Sequence, residues 1–258
     1  MTASPTVVEG SGPVRLDLSA EPPRGFLSEP LIDRLLSLVE GDRDLAAIVV
    51  ESRGDTFCLG LDPGLLTADG DPAAAGQRAR MALERFDRLL QAVERARCPV
   101  IAIVDGPAAG GGVGLAAAAD LVIATRRATF ALPETLLGIV PALVFPVLAR
   151  RVGGPRARWL ALSGLTTDAA EALRLGLVDM VVANPEVALT RCLRRLARLD
   201  VRSIAAVKTL AALYGTEPAA YRAAARRAFE QLVESAETQA RLRRFAAGLA
   251  PWPEDDPA

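Results

Sequence analysis

The stretch Val100-Ile-Ala-Ile-Val-Asp-Gly-Pro-Ala-Ala-Gly-Gly-Gly-Val-Gly-Leu115 decides the fold of this chain. Its first five residues are apolar and predict a buried strand. The alanine-rich run after the glycines, as far as Asp120, predicts a helix. Glycines just before a helix let the backbone approach another group closely, and the N–H groups at the helix start favour an anion. The stretch alone is equally compatible with a turn that only packs a helix on a strand.

The glycine pattern excludes two common nucleotide sites. Gly110 to Gly114 lack the Gly-Lys-Ser/Thr of a phosphate-binding P-loop, and their spacing does not match a dinucleotide fingerprint. Outward from this stretch, apolar runs predict further strands at 14–18, 45–50 and 121–125. Predicted helices separate these strands, and this alternation is typical of an α/β fold with a parallel sheet.

Beyond residue 138 the pattern becomes mostly helical, with the segment 218–246 as one helix or a broken pair. We expect a flexible N-terminus at 1–13, an α/β core at 14–185, a helical region at 186–248 and a flexible tail at 249–258. A Gly/Asp/Ala/Pro segment, 69–76, predicts a mobile loop before a helix at 81–96.

The composition narrows the possible chemistry. The 258 residues include 51% hydrophobic and 24% charged residues with a net charge of -1, which is typical of a globular protein and gives no sign of nucleic-acid binding. No apolar run reaches membrane-spanning length and no signal peptide is visible. The three scattered cysteines indicate reduced thiols and a cytoplasmic location. Because the chain has no histidine, acid–base chemistry falls to carboxylates, Tyr, Cys or the single lysine, Lys208.

Three segments together resemble the crotonase (enoyl-CoA hydratase/isomerase) superfamily. They are Phe57-Cys-Leu-Gly-Leu-Asp62, Gly106-Pro-Ala-Ala-Gly-Gly-Gly112 and Phe130-Ala-Leu-Pro-Glu-Thr-Leu-Leu-Gly138, in the order and spacing of that family. The resemblance extends from about residue 14 to 248. It implies a spiral of ββα units, followed by a helical C-terminal region that mediates trimer contacts.

The resemblance also implies a chemistry. Members of the family bind acyl thioesters of coenzyme A or of an acyl carrier protein, and two backbone N–H groups stabilise the thioester enolate. By motif position these donors are those of Leu61 and Gly111, with Gly110 beside them. Hydratases of the family use two glutamates. The second is present as Glu134, whereas Gly114 occupies the position of the first.

The segment Gly138-Ile-Val-Pro-Ala-Leu-Val-Phe-Pro-Val-Leu-Ala-Arg-Arg-Val-Gly153 is similar to the polyketide-synthase branch of the family. That branch dehydrates 3-hydroxy-3-methylglutaryl on an acyl carrier protein to 3-methylglutaconyl. We therefore expect a dehydratase in which Glu134 transfers protons. Alternatives are a Δ3,Δ2-enoyl isomerase, a decarboxylase, and a catalytically silent subunit that binds an acyl carrier as a scaffold.

Further site residues are predicted with less specific signals. Asp62 is a candidate proton-transfer partner or a turn-holding residue, and Asp69 and Asp71 are further candidates. Leu136, Ala142 and Leu143, with Val144, are expected to line the acyl pocket or to pack in the core. Arg24 and Lys208 are candidate phosphate contacts. Arginines at 191, 194, 195 and 198 form a solvated helix face, or a subset of them meets a carrier protein or the pantetheine phosphates. No metal site and no resident cofactor is expected, because the substrate brings its own phosphopantetheine. A homotrimer or dimer of trimers is expected.

Overall fold

The computed structural model describes residues 12–20, 25–41, 45–67, 71–199, 201–214 and 219–250. The described residues form a mixed α/β structure. No helix among them is both long and apolar enough to cross a membrane.

Eight strands form two sheets in the described part of the chain. Five parallel strands make the main sheet, in the order β1-β2-β3-β5-β8, and β4, β6 and β7 make a small second sheet. Continuous apolar runs form the central strands, as expected for a parallel sheet covered on both faces. The strands are β1 (Val14–Asp17), β2 (Ile48–Glu51), β3 (Val100–Val104), β4 (Pro107–Ala109), β5 (Leu121–Ala124), β6 (Thr129–Ala131), β7 (Thr167–Asp168) and β8 (Met180–Val181).

The helices of the described residues cover the sheets and supply most of the C-terminal part. They are α1 (Glu29–Val39), α2 (Pro72–Arg95), α3 (Gly111–Ala118), α4 (Val144–Val152), α5 (Gly154–Ser163), α6 (Ala169–Leu175), α7 (Pro185–Leu196), α8 (Val201–Tyr214), α9 (Ala219–Val233) and α10 (Ala236–Ala246). There are two 3-10 turns: Pro63–Leu65 follows the first motif, and Pro133–Leu137 lies within the third.

The main sheet separates two apolar cores. Because alternate residues of a strand point to opposite faces, Val50 and Ala102 belong to the large core, whereas Val49 and Ile101 belong to a small one. Helix α7 covers the small core with Ala188 and Leu189. The three motifs lie on the side of the large core.

The chain differs from the sequence prediction at the start of α2. The predicted loop at 69–76 is wrong from residue 71 onward, because the Asp71 carboxylate accepts hydrogen bonds from Ala73 N (3.0 Å) and Ala74 N (3.2 Å) and Pro72 begins the helix. An Asp cap followed by Pro is a strong helix start, and the helix therefore begins well before residue 81. Asp69 lies outside the described residues.

Of the two forms predicted for the segment 218–246, one helix or a broken pair, the structure has the pair. Helices α9 and α10 are separate, and the Ser235 hydroxyl caps α10 by accepting a hydrogen bond from Thr238 N (3.1 Å). The tail at 251–258 and most of the N-terminus lie outside the described residues. The domain boundary at residues 185 and 186 and the trimer contacts stay predictions.

Candidate active site

The first motif forms an extended segment beside the start of α1. Leu27 N donates to Gly60 O (2.8 Å) and Asp62 N donates to Leu27 O (3.3 Å). These two hydrogen bonds use the backbone groups on either side of Leu61, so this bridge does not use the Leu61 N–H.

The second motif brings the backbone N–H of Gly111 to the same place. Gly111 is the first residue of α3, and the first N–H groups of a helix have no acceptor within it. A Cβ built on Gly60 would lie 2.9 Å from Gly111 N, and one built on Gly111 would lie 3.4 Å from Leu61 N. The N–H groups of Leu61 and Gly111 are therefore neighbours, as the motif positions predict.

Glycine is needed here both to pack the helix closely and to present a backbone N–H group. A Cβ on Gly112 would lie 2.1 Å from the carbonyl oxygen of Cys58, so only glycine lets α3 pack against the first motif. Gly110 has a φ of +51°, in the region that favours glycine, and its N–H donates to Ala131 O (3.0 Å). The glycine run thus packs the helix closely and also presents the Gly111 N–H.

The third motif places Glu134 against this glycine run. Glu134 lies in the 3-10 turn Pro133–Leu137 and is 8% exposed. A Cβ built on Gly110 would lie 3.1 Å from Glu134 Oε1. Glu134 Oε2 is buried and has no hydrogen-bond partner among the described residues. Burial raises the pKa of the Glu134 carboxyl to about 7.

One cavity of about 340 Å³ joins these groups. Leu61, Gly111 and Glu134 all line it, and Gly110, Ala142 and Leu143 line it as predicted. Among the described residues that line the cavity, Glu134 is the single ionisable one. The arrangement can stabilise a negative oxygen with two N–H groups while a carboxyl group with a pKa near neutrality moves a proton beside it.

The space beside Gly114 is filled by apolar side chains. A Cβ built on Gly114 would lie 3.0 Å from Val144 Cγ2 and 3.4 Å from Phe86 Cζ. A side chain at this position would need Val144 to shift. The chain therefore has no carboxylate at 114, the motif position of the first hydratase glutamate, and Val144 occupies the space beside it.

Two predicted residues lie away from the cavity. The Asp62 carboxylate is half-buried and accepts a hydrogen bond from Gly64 N (2.9 Å), which caps the 3-10 turn Pro63–Leu65. The Asp62 carboxylate thus holds this turn, and a catalytic role for it stays a prediction. Leu136 is 39% exposed and packs beside Gly164 at the end of α5, whereas its neighbour Leu137 lines the cavity.

The described cationic candidates also lie away from the cavity. Lys208 is buried, forms an ion pair with Asp120 and donates to Val93 O (3.3 Å), so its position does not fit the predicted phosphate contact. Arg24 lies outside the described residues. The arginines at 191, 194, 195 and 198 line a surface groove on α7, on the opposite side of the main sheet from the cavity.

The C-terminal helices contribute side chains to the cavity that the motifs do not predict. Phe229 of α9, and Leu242 and Phe245 of α10, line the cavity. Helix α10 is attached to the cavity wall because Gln239 Nε2 donates to Leu66 O (2.9 Å) and Thr238 Oγ1 donates to Gly138 O (3.2 Å). The apolar spacing of Phe229, Leu242 and Phe245 predicts helices but does not indicate which cavity the helices cover.

The comparisons with known proteins agree with this geometry. The family model described as enoyl-CoA hydratase/isomerase matches residues 27–254. The chain belongs to this family. The chain is accordingly an enoyl-CoA hydratase-type lyase with a crotonase fold, as the three motifs predict.

Individual relatives refine the comparison. The bacillaene synthase dehydratase PksH of Bacillus subtilis is 27% identical over 229 residues, which are 88% of this chain and 87% of PksH. The mevalonyl-coenzyme A hydratase SIDH of Beauveria bassiana is 37% identical over 174 residues, or 62% and 60% of the two chains. A solved putative enoyl-CoA hydratase of Mycobacterium avium paratuberculosis superimposes with a TM-score of 0.79, at 27% identity and 93% coverage of both chains. The similarity to PksH confirms the predicted resemblance to the polyketide-associated branch.

Proposed function

We propose that this enzyme dehydrates a β-hydroxy acyl thioester that the phosphopantetheine arm of an acyl carrier protein delivers. The specific reaction is the conversion of 3-hydroxy-3-methylglutaryl to 3-methylglutaconyl in polyketide β-branching. The similarity to PksH, a bacillaene synthase dehydratase, supports this choice. The proposal includes no metal and no resident cofactor, a homotrimer or dimer of trimers, and a cytoplasmic location.

One observation carries the proposal. The buried carboxyl group of Glu134, with Oε2 unpartnered, shares an apolar cavity with the neighbouring N–H groups of Leu61 and Gly111. A buried carboxyl group without a partner costs stability, and such groups are retained where they do chemistry.

The reaction can use this single carboxyl group twice. The Glu134 carboxylate removes a proton from the α-carbon, and the electron pair of that C–H bond forms the enolate. The enolate oxygen accepts hydrogen bonds from the N–H groups of Leu61 and Gly111. When the enolate re-forms the thioester carbonyl, the α,β double bond forms and the β-hydroxyl leaves. Glu134 returns the proton to that hydroxyl, so water is released and the carboxylate is regenerated. A pKa near 7 suits both halves of this cycle.

The direct test uses intact-protein mass spectrometry of a carrier protein loaded with 3-hydroxy-3-methylglutaryl. The wild-type enzyme should remove one water, and Glu134→Gln should not. Glu51→Gln is the matched control, because Glu51 is also a buried glutamate but lies outside the cavity. Unchanged water loss with Glu134→Gln would overturn the mechanism, and loss of carbon dioxide would assign a decarboxylase activity.

The single carboxyl group in the cavity also favours a second candidate, the Δ3,Δ2-enoyl isomerase. One carboxyl group can move a proton between the α- and γ-carbons without a second acid. In deuterated water, a 3-enoyl thioester should then exchange its α- and γ-hydrogens without loss of water. That outcome, together with no dehydration of the hydroxyacyl carrier, would favour the isomerase over the dehydratase.

A further inference from the structure

The 3-10 turn that carries Glu134 is a short element. It runs over Pro133–Leu137, and 3-10 turns have poorer hydrogen-bond geometry than α-helices. At its end, Gly138 N donates to Thr135 O (3.2 Å) and Ile139 N donates to Glu134 O (2.9 Å). The last carbonyl groups of such a turn have no donor within the turn itself. The position of Glu134 therefore depends on the contacts that the turn makes with other elements.

Helix α10 supplies a donor to the end of this turn. Thr238 Oγ1 donates to Gly138 O (3.2 Å), and Thr238 is 3% exposed. Arg241 follows three residues later on the same face of the helix, and its Nη1 donates to Leu136 O (3.3 Å). Thr238 does not line the cavity, so it can act on Glu134 only through the turn.

The glycine at the end of the third motif permits this contact. A Cβ built on Gly138 would lie 2.8 Å from Thr238 Oγ1 and 3.7 Å from Arg241 Cδ. A side chain at position 138 would push α10 away from the turn. Gly138 thus lies where the helix and the turn meet.

The residue beside Thr238 attaches α10 to the first-motif side of the cavity. Gln239 is 3% exposed, and its Nε2 donates to Leu66 O (2.9 Å). Leu66 and Leu61 both line the cavity. Helix α10 therefore connects the wall that contains Leu61 with the turn that carries Glu134.

From these contacts we propose that Thr238 is a positioning residue for Glu134. Its hydroxyl group holds the end of the turn, and the turn keeps the Glu134 carboxyl group against the glycine run at Gly110. A displacement of about 1 Å can cost roughly 10²-fold in rate, so a hydrogen bond outside the cavity can affect proton transfer inside it. The proposal rests on the proposed function, because it takes Glu134 as the group that moves the proton.

The kinetic test uses two substitutions of Thr238. Thr238→Val removes the hydroxyl group and keeps the shape, whereas Thr238→Ser keeps the hydroxyl group. Thr238→Val should lower kcat for dehydration of the loaded carrier by roughly 10-fold with little change in KM, because it moves the reacting carboxyl group and leaves the cavity lining intact. Thr238→Ser should retain most of the wild-type kcat. Equal kcat values for the two variants would overturn the proposal.

A matched control separates positioning from stability. Thr125 is also buried, its Oγ1 donates to Asp105 Oδ1 (2.6 Å), and it does not line the cavity. Thr125→Val therefore loses a buried hydroxyl group of the same kind and should keep the wild-type kcat. A loss of kcat as large as that of Thr238→Val would show that stability, and not the position of Glu134, explains both. If Thr238→Val does not fold, Thr238→Ala removes the same hydroxyl group and replaces it in every comparison.

A spectroscopic measurement tests the proposal without substrate. The protonated carboxyl group of Glu134 has an infrared C=O band, which its absence from Glu134→Gln identifies. Burial raises the pKa of Glu134 to about 7, so the band should titrate near pH 7 in the wild type. In Thr238→Val a loosened turn admits water to the carboxyl group, and the midpoint should fall by roughly one pH unit. Since both side chains are neutral, this shift reports the position of the carboxyl group and not a new charge.

The infrared midpoints also keep the proposal separate from the proposed function. Thr238→Ser and Thr125→Val should titrate as the wild type does. An unchanged midpoint in Thr238→Val would overturn the positioning role of Thr238, whatever reaction the enzyme catalyses. If the wild-type enzyme removes no water from the loaded carrier, the proposed function fails, while the midpoints still decide whether Thr238 holds Glu134 in place.

Discussion

Two glutamates are buried to the same extent, in two regions of the molecule, and they differ in what surrounds them. Glu51 at the end of β2 is 7% exposed and Glu134 in the third motif is 8% exposed. Glu51 Oε1 accepts a hydrogen bond from Arg15 Nε (2.8 Å), and Oε2 accepts a second one from the same guanidinium. Glu134 Oε2 has no partner in the described part of the chain. Equally buried carboxyl groups thus differ in their partners: Glu51 is held by a guanidinium, whereas Glu134 leaves an oxygen available for the proposed proton transfer.

The largest expected difference between the two regions is catalytic. Glu134→Gln should lower kcat for dehydration by on the order of 10²–10⁴-fold, because the amide can neither remove nor return a proton. Glu51→Gln should leave kcat unchanged, since Glu51 lies outside the cavity. Steady-state kinetics on the loaded carrier measures both. Comparable losses in the two variants would break the comparison.

The second expected difference concerns stability and its dependence on pH. Because burial raises the pKa of Glu134 from the ordinary 4.5 to about 7, the folded state holds the proton more tightly than the unfolded state does. The contribution of Glu134 to stability is therefore fully present below pH 4.5 and is lost as the pH rises through 7. Glu134→Gln does not titrate, so at pH 8 its free energy of unfolding should exceed that of the wild type by about 3 kcal/mol.

Denaturant unfolding at pH 5 and at pH 8 checks this expectation. The gap between Glu134→Gln and the wild type should be much smaller at pH 5. Gaps of the same size at both pH values would show that the carboxyl group of Glu134 is not held in its neutral form by burial.

The third difference has the opposite sign. Glu51→Gln should lower the free energy of unfolding by about 2 kcal/mol, because it removes a charged hydrogen-bond acceptor from the Arg15 guanidinium. Arg15 keeps its second partner, since its NH1 donates to Glu186 Oε2 (2.8 Å), and this limits the loss. Denaturant unfolding at pH 7 measures this loss of stability. A Glu51→Gln variant more stable than the wild type would contradict the structural role of the pair.

The smallest expected effect concerns the close contact between Gly110 and the Glu134 carboxyl group. Gly110→Ala should lower kcat by roughly 10-fold, since the new Cβ would lie 3.1 Å from Glu134 Oε1 and displace the carboxyl group. Gly153→Ala is the matched control. Gly153 also has a positive φ, +83°, but no atom lies within 4 Å of the added Cβ. Equal kcat values for the two variants would show that backbone strain, and not contact with Glu134, explains the loss.

The sequence could predict which groups lie together at the candidate site because each is tied to a motif. The glycine run fixes where Gly111 must lie, the first motif fixes Leu61, and the short turn after Pro133 fixes Glu134. The fold class followed from the alternation of apolar strands with helices. Each of these features depends on a pattern of residues that are close together in the sequence.

The rest depended on details of packing that no local pattern contains. Leu136 and Leu137 are both apolar neighbours in one 3-10 turn, and only the orientation of that turn decides which one lines the cavity. Lys208 forms an ion pair with Asp120, which lies 88 residues away in the sequence. Phe229 and Phe245 reach the cavity because α9 and α10 fold back over it. Asp62 illustrates the converse, since a carboxylate within a catalytic motif caps the turn beside it.

The packing at Gly114 has a consequence for protein engineering. A Cβ added at position 114 would lie 3.0 Å from Val144 Cγ2, so a glutamate there fits only if Val144 gives way. Truncating the buried Val144 alone is unfavourable, because it removes a core side chain. A second carboxylate at this place is therefore a two-position problem. Directed evolution toward ordinary water addition should succeed most readily from libraries that vary positions 114 and 144 at the same time.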